Sequence, residues 1–154
     1  MDKHVDASRN LGLIPRETVE EPKERVQERI VQNLVVSQPL FRIGFKDTNM
    51  GLEPEAMLKK EVATELILSA VFGKCSDLYH ELYESGLIDR SFDAETDIAK
   101  GYGFTLVGGE SKDPEAVYAK VKEYLAKLME TGIPTEDIAR ARKTCISRNI
   151  RTFN

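Results

Sequence analysis

The stretch from Cys75 to Phe92 restricts the fold most narrowly, because it holds a short helix with both a start signal and a stop signal. Ser76 is suited to be the N-cap, since its hydroxyl can accept a hydrogen bond from an amide of the first turn. Gly86 is suited to end the helix, because glycine adopts positive φ angles without steric cost. Between them, apolar residues at helical spacing predict one buried face, formed by Leu78, Tyr79 and Leu82. After Gly86 we expect extended chain, so a helix leads into a strand here.

Two elements are predicted before this stretch. The run from Ile30 to Lys46 alternates as a strand does, and its core side near the end would carry Phe41, Ile43 and Phe45. Pro39 cannot donate to a ladder, so it marks an edge, a bulge or a break between two strands. Residues 55–72 predict a helix, and Gly73 follows in the position of a C′ glycine. Its predicted apolar stripe consists of Met57, Leu58, Val62, Ala63, Leu66, Ile67 and Ala70.

Two strands and two helices are predicted after the stretch. A strand near residues 90–96 and a second over 100–109 are separated by a connection that suits a hairpin. Asp113 and Pro114 are typical of an N-cap and a first helical position, and this helix would end before Gly132. Thr135 would open the last helix. The order β-α-α-β-β-α-α predicts an α+β fold in which helices pack on one face of an antiparallel sheet.

Length, composition and charge favour one cytoplasmic domain. The 154 residues are 41% hydrophobic and 31% charged, which is ordinary for a soluble globular protein. The net charge of −4 and the lack of a basic stripe disfavour nucleic-acid binding. No apolar run of about 20 residues predicts a membrane span, and the first residues lack a hydrophobic signal core. Residues 1–29 are polar and are interpreted as a linker, either a tethered arm or a disordered tail, leading into a domain over 30–154.

His80 and Glu81 begin like the HExxH motif of zinc peptidases. The second histidine is absent and Glu84 stands in its place. Catalytic zinc needs three protein ligands and a base, yet the other histidine is His4, in the predicted linker. We therefore favour a solvent-facing histidine on a helix and predict no metal site.

Nucleophile and phosphate-loop chemistry are also disfavoured. Cys75 and Cys145 are far apart, lack a CxxC partner and have no predictable base within reach, so we interpret them as reduced, semi-buried side chains. The glycine pairs 101/103 and 108/109 lie in or before a strand rather than between a strand and a helix. Glycines in a strand more often permit a close backbone approach or a bulge. The sequence predicts no complete catalytic site.

A family resemblance rests on four segments: Pro39–Phe45, the helix 55–72, the signature Ser76–Leu87 and the Gly-Tyr-Gly-Phe strand 101–104. Together with the two closing helices, they resemble the C-terminal module of insulinase-type (pitrilysin-like) zinc metallopeptidases, in the bacterial branch related to processing proteases. The resemblance covers about residues 30–154 and implies one half of a clamshell of homologous modules. In this family the N-terminal module carries the zinc motif HxxEH, which this sequence lacks. The resemblance therefore implies a non-catalytic fragment, cut short at its C-terminal end, with zinc held in a separate N-terminal module.

The same resemblance marks two positions that would contact substrate. The family usually has an arginine after Glu-Leu and a tyrosine after Gly-Leu. Here Tyr83 takes the arginine position, and Asp89 takes the tyrosine position after a shortening of one residue. A phenol with one donor replaces a bidentate guanidinium. Arg90, next to Asp89, would restore a positive charge.

Three functions are compatible with this sequence. The first is the substrate-enclosing, non-catalytic half of a zinc metalloendopeptidase, inactive alone, whose partners are the catalytic module or a homologous subunit and a peptide substrate. The second is a peptidase-derived scaffold that binds a partner subunit without proteolysis, which the departures at Tyr83 and Asp89 favour. The third is a free-standing α+β binding domain. The family interpretation predicts an exposed apolar face and self-association of the isolated chain, whereas a free-standing domain predicts a monomer.

Overall fold

The computed structural model describes residues 22–152, which contain three strands and four helices in the predicted order. Of the predicted linker, residues 1–21 lie outside the described residues, and 22–29 are exposed and form neither helix nor strand. No helix in the described range is long and apolar enough to cross a membrane. The bounds are β1 Leu40–Lys46, α1 Pro54–Phe72, α2 Asp77–Glu84, β2 Asp93–Ile98, β3 Gly103–Glu110, α3 Pro114–Thr131 and α4 Thr135–Thr152.

The three strands form an antiparallel sheet in the order β1-β3-β2, so β1 and β2 are its edges in the described part of the chain. The register places Ile43 and Ala94 opposite Val107, on the face that the helices cover. α1 packs on β2, and α3 packs on β1. None of the described helices covers the other face, which carries exposed side chains such as Arg42 and Phe104. The predicted α+β fold with helices on one face is confirmed.

The core lies where α1 ends and α2 begins. Leu78, Tyr79 and Leu82 are buried as predicted, and Val107 of β3 packs in the same cluster. Ser76 caps α2, because its hydroxyl accepts the backbone N–H of Tyr79 at 3.2 Å. Gly86 follows the helix with φ of +70°, which confirms its role as the stop. These local signals fix the position of α2 within the core.

Two predicted bounds and the predicted conformation of one glycine are wrong. β1 begins at Leu40, so the alternating run over 30–39 is not a strand; alternation describes extended chain, whereas a strand also needs a neighbour to bond. β2 begins at Asp93 rather than near residue 90, because a turn precedes it. Gly73 has φ of −66°, so it is no left-handed C′ residue; a Cβ there would instead collide with the carbonyl of Ser69.

The predicted stripe of α1 is also wrong in part. Leu58, Val62 and Ile67 remain 59%, 54% and 49% exposed, and Ala63 is exposed as well. Burial is instead concentrated in the last turns, at Leu68, Ala70, Val71 and Phe72. The cause is that no described element covers α1 at these four positions.

Candidate functional site

Tyr83 and Asp89, the two positions marked by motif, lie on different parts of the structure. Tyr83 is 43% exposed on α2, and its ring stacks on Tyr79 with centroids 5.8 Å apart. Asp89 lies in the turn between α2 and β2. Neither residue lines the cleft between α1, β2 and α4. Their contact with substrate stays a prediction.

Asp89 organises the turn that leads into β2. Its carboxylate accepts the backbone N–H of Ser91 at 2.8 Å and also the Ser91 hydroxyl, and these hydrogen bonds lower the pKa of Asp89. The Ser91 hydroxyl in turn accepts the N–H of Glu110 at 2.8 Å, which ties the turn to β3. The turn lies close to β3: a Cβ added at Gly109 would be 2.8 Å from the Cα of Phe92. The predicted close backbone approach at the glycine pair 108/109 is thus confirmed.

The other chemical candidates lie apart from one another. His80 is exposed on α2, with its ring edge-on to Tyr79. Cys75 is exposed and Cys145 is half-buried, and both are free thiols. Between residues 22 and 152, no three side chains of His, Cys, Asp or Glu come together to hold a metal ion. With HxxEH missing from the whole sequence, the residues present do not fit the family's zinc.

A cleft of about 460 Å³ lies between α1, β2 and α4. α1 supplies its last two turns and the residues that follow, β2 supplies its first four residues (93–96), and α4 supplies one face. The cleft is open to solvent along β2. Its polar lining includes Glu65, Ser69 and Lys74 from α1 and the loop after it, Thr96 from β2, and Asp137, Arg140, Thr144 and Arg148 from α4.

The floor of this cleft is the free edge of β2. The N–H of Ala99 donates to the carbonyl of Tyr102, so these two residues form a hydrogen-bonded pair. In an antiparallel ladder every second pair is hydrogen-bonded, so Asp97, Glu95 and Asp93 also bond to β3. Ala94, Thr96 and Ile98 therefore direct their N–H and C=O groups away from β3. The Ala94 N–H is taken by the carboxylate of Asp93 at 2.8 Å. The edge at Thr96 and Ile98 offers backbone donors and acceptors in the pattern that an added strand needs.

The roof of the cleft is α4, which Arg140 fastens to the loop between α1 and α2. One guanidinium nitrogen of Arg140 donates to the carbonyl of Cys75 at 2.9 Å, and the other pairs with Asp137. Farther along the same face, Ala141 is buried and Thr144 and Arg148 line the cleft. The arrangement can hold an extended backbone between a strand edge and a helix. It presents no nucleophile with a base and no pair of acid and base.

Motif reasoning did not identify this cleft, although one signal was present. Three of the six residues of β2 are acidic, at 93, 95 and 97, with Ala94, Thr96 and Ile98 between them. A central strand that is covered by helices rarely carries so many charges, whereas an edge strand commonly does. The composition of β2 therefore indicated an edge.

Comparisons with known proteins agree on one family. The family model described as the peptidase M16 inactive domain matches residues 4–145. The curated zinc protease YmfH of Bacillus subtilis (strain 168), described as uncharacterized, is 31% identical over 141 residues, which are 92% of this chain and 33% of the relative. A crystal structure titled as an M16-like peptidase of Alicyclobacillus acidocaldarius has a TM-score of 0.73 and 32% identity, covering 77% of this chain and 28% of that one. The chain thus spans about a third of the length of the relatives it matches.

Proposed function

Because the chain belongs to the peptidase M16 family and corresponds to its inactive domain, we propose that it is the substrate-enclosing, non-catalytic half of a zinc-dependent metalloendopeptidase. In this proposal the chain binds an extended stretch of the substrate along the free edge of β2. Hydrolysis takes place on a catalytic module of the same family, which carries HxxEH and the zinc. We also propose a cytoplasmic location, which the two free cysteines support.

The single observation that carries the proposal is the edge of β2, which no other strand between residues 22 and 152 pairs, at the floor of an open cleft. An extended peptide that adds to a sheet edge gains affinity from main-chain hydrogen bonds, which depend little on sequence. Thr96 lies at the middle of this edge, with its N–H directed outward. Its own hydroxyl is used inside the sheet, where it donates to the carbonyl of Phe104 at 3.1 Å. The backbone of Thr96 is therefore the natural anchor for a peptide.

The experiment replaces the donor at the centre of the edge. Thr96→Pro removes the outward N–H but no ladder bond to β3, and proline is tolerated on an edge strand in that position. Thr96→Val is the matched control, because it also loses the hydroxyl but keeps the N–H. A fluorescent peptide of alternating Thr and Val, about nine residues long, is the probe, and fluorescence anisotropy reports its binding. We expect Thr96→Pro to weaken binding about tenfold and Thr96→Val to leave it unchanged.

Equal binding by Thr96→Pro and the wild type would contradict the edge as the peptide site. A second measurement tests whether hydrolysis takes place on the catalytic module and not on this chain. The isolated chain should not hydrolyse the peptide, and it should increase hydrolysis when mixed with a zinc-loaded M16 catalytic module. Chelator-sensitive hydrolysis by the chain alone would contradict the non-catalytic assignment.

A second candidate function is a scaffold that binds a partner subunit without proteolysis. It is favoured by the exposed apolar side chains of α1, namely Leu58, Val62 and Ile67, which are suited to a protein partner. The departures from the family pattern at Tyr83 and Asp89 also favour the scaffold. The catalytic module that accompanies this domain distinguishes the two: an intact HxxEH with a downstream glutamate ligand supports the peptidase, and a degraded motif supports the scaffold.

A further inference from the structure

The outward side chains of β2 form a regular row of carboxylates on the uncovered face of the sheet. Asp93, Glu95 and Asp97 are all exposed, and the half-buried residues between them face the helices. Side chains two residues apart on a strand are separated by roughly 6.6 Å. The three carboxylates therefore stand at even intervals directly beside the free edge.

β3 places no positive charge opposite this row. The ladder partners of the three acids are uncharged: Gly108, Leu106 and Phe104. Asp93 accepts the N–H of Ala94, and Asp97 accepts the hydroxyl of Tyr102 at 3.3 Å, but neither donor is a cation. On β1, Arg42 and Lys46 are in register with Asp93 and Asp97 across β3, and Arg42 extends over Gly108. The negative potential beside the edge is therefore greatest at Glu95, in the middle of the row.

A strand that is added to this edge would have a fixed relation to the row. Its hydrogen bonds would go to Thr96 and Ile98, so its residues opposite Glu95 and Asp97 would be in non-hydrogen-bonded pairs, where facing side chains are closest. Those residues would project on the uncovered face, at about 5 Å between Cβ atoms. The residues between them would project into the cleft, whose walls there include the small side chains of Ser69, Ala141 and Thr144.

From this geometry, and resting on the function proposed above, we infer that the β2 edge selects basic peptides that carry Lys or Arg at alternating positions and small or apolar residues between them. Opposite charges that face each other across a strand pair stabilise it, and like charges destabilise it. Charged edge strands also discourage unwanted pairing. A row of acidic side chains discourages pairing selectively, because it repels acidic strands and attracts basic ones.

The test measures which peptide pattern the chain prefers. Four labelled peptides of equal length are compared by fluorescence anisotropy with the full chain: alternating Lys and Val, the same composition with the lysines contiguous, alternating Glu and Val, and the neutral Thr–Val probe. We expect the alternating Lys peptide to bind about tenfold more tightly than the neutral probe. The contiguous isomer should lose most of this gain, and the Glu peptide should bind more weakly than the neutral one.

The net charge of the chain is −4, which attracts any basic peptide. Two triple variants distinguish the effect of the acidic row on peptide binding from the effect of this net charge. One variant carries Asp93→Asn, Glu95→Gln and Asp97→Asn. The matched control carries Glu84→Gln, Glu123→Gln and Glu130→Gln, at exposed positions of α2 and α3. The first should reduce binding of the alternating Lys peptide to the level of the neutral probe, and the control should not. Circular dichroism confirms that both variants fold.

The outcomes distinguish this inference from the proposed function. Equal binding of the neutral and Lys peptides, with both weakened by Thr96→Pro, overturns the basic preference and leaves the peptide edge in place. Equal losses in the two triple variants overturn it as well, because net charge alone would then explain the preference. If no peptide binds, the edge fails as a peptide site and the inference fails with it.

Discussion

Asp47 and Lys60 form the ion pair that joins the loop after β1 to α1, and both side chains are about one-fifth exposed. Lys60 also donates to the carbonyl of Asn49 at 2.6 Å, and Asp47 accepts the N–H of Asn49 at 2.9 Å. Burial raises the pKa of Asp47, but the hydrogen bonds from Lys60 and Asn49 outweigh burial and the net pKa is lowered. Asp47 therefore holds the loop against α1 only while its carboxyl group is ionised.

The pH dependence follows from that lowered pKa. A carboxyl whose pKa is lower in the folded than in the unfolded state stabilises the fold at pH values above its unfolded-state pKa, ordinarily 3.8. This stabilisation is lost as the pH falls through the folded-state pKa. We expect Asp47→Asn to lower the free energy of unfolding by about 1 kcal/mol at neutral pH and by much less near pH 3. Urea unfolding at the two pH values measures this. Glu55→Gln, which removes a pair that is mostly exposed on both sides, is the control; a loss that is independent of pH for Asp47→Asn would contradict the assignment.

Single residues were predictable where the signal was local. Ser76, Gly86 and Asp113 act within three residues of their own positions, and each was identified from sequence. The turn formed by Asp89 was not predicted: its partner Ser91 is local, but the Ser91 hydroxyl is itself fixed by accepting the N–H of Glu110, which the tertiary fold brings there. The lining of the cleft was missed for the same reason: Thr96 and Arg140 are brought near each other by the packing of three separate elements.

At the scale of elements, α1 has two halves with different environments. Leu68 is 9% exposed and packs in the core, whereas Leu58 is 59% exposed. The sequence could not distinguish the two halves, because the helix is apolar on several sides and periodicity does not say which side is covered. In contrast, the order of elements was predictable, since caps, prolines and glycines separate them. The extended run before Leu40 shows the same limit, because strand-like alternation does not supply a neighbouring strand.

The two halves of α1 should respond differently to truncation. We expect Leu68→Ala to lower the free energy of unfolding by about 2–4 kcal/mol, since it opens a cavity in the core. Leu58→Ala should cost less than about 1 kcal/mol, because its side chain already meets solvent. Both are measured by urea unfolding. A similar loss at the two positions would indicate that the first half of α1 is covered.

At the scale of the whole molecule, much apolar surface is exposed. Beyond the first half of α1, the segment before β1 carries exposed aliphatic side chains: Val26, Ile30, Val31, Leu34, Val35 and Val36. Exposed apolar side chains in such number commonly mark an interface. This distribution agrees with a domain that functions next to another module.

The isolated chain should therefore self-associate. We expect its apparent mass in light scattering after gel filtration to increase with concentration. Leu58→Ser combined with Val62→Ser should shift the equilibrium towards the monomer, whereas Met129→Ser combined with Tyr118→Ser on α3 should have little effect. A wild-type chain that stays monomeric at every concentration would instead favour the free-standing binding domain.

The attachment of α4 has a kinetic consequence. α4 packs mainly against α1, and among its described residues only Ala141 is buried. A helix with so few buried contacts can detach at a lower free energy than the core it covers. Under the proposed function, a peptide would reach the β2 edge through the open side of the cleft while α4 is attached, and from more directions once α4 detaches. Variants that loosen α4 would therefore raise the association rate of the peptide.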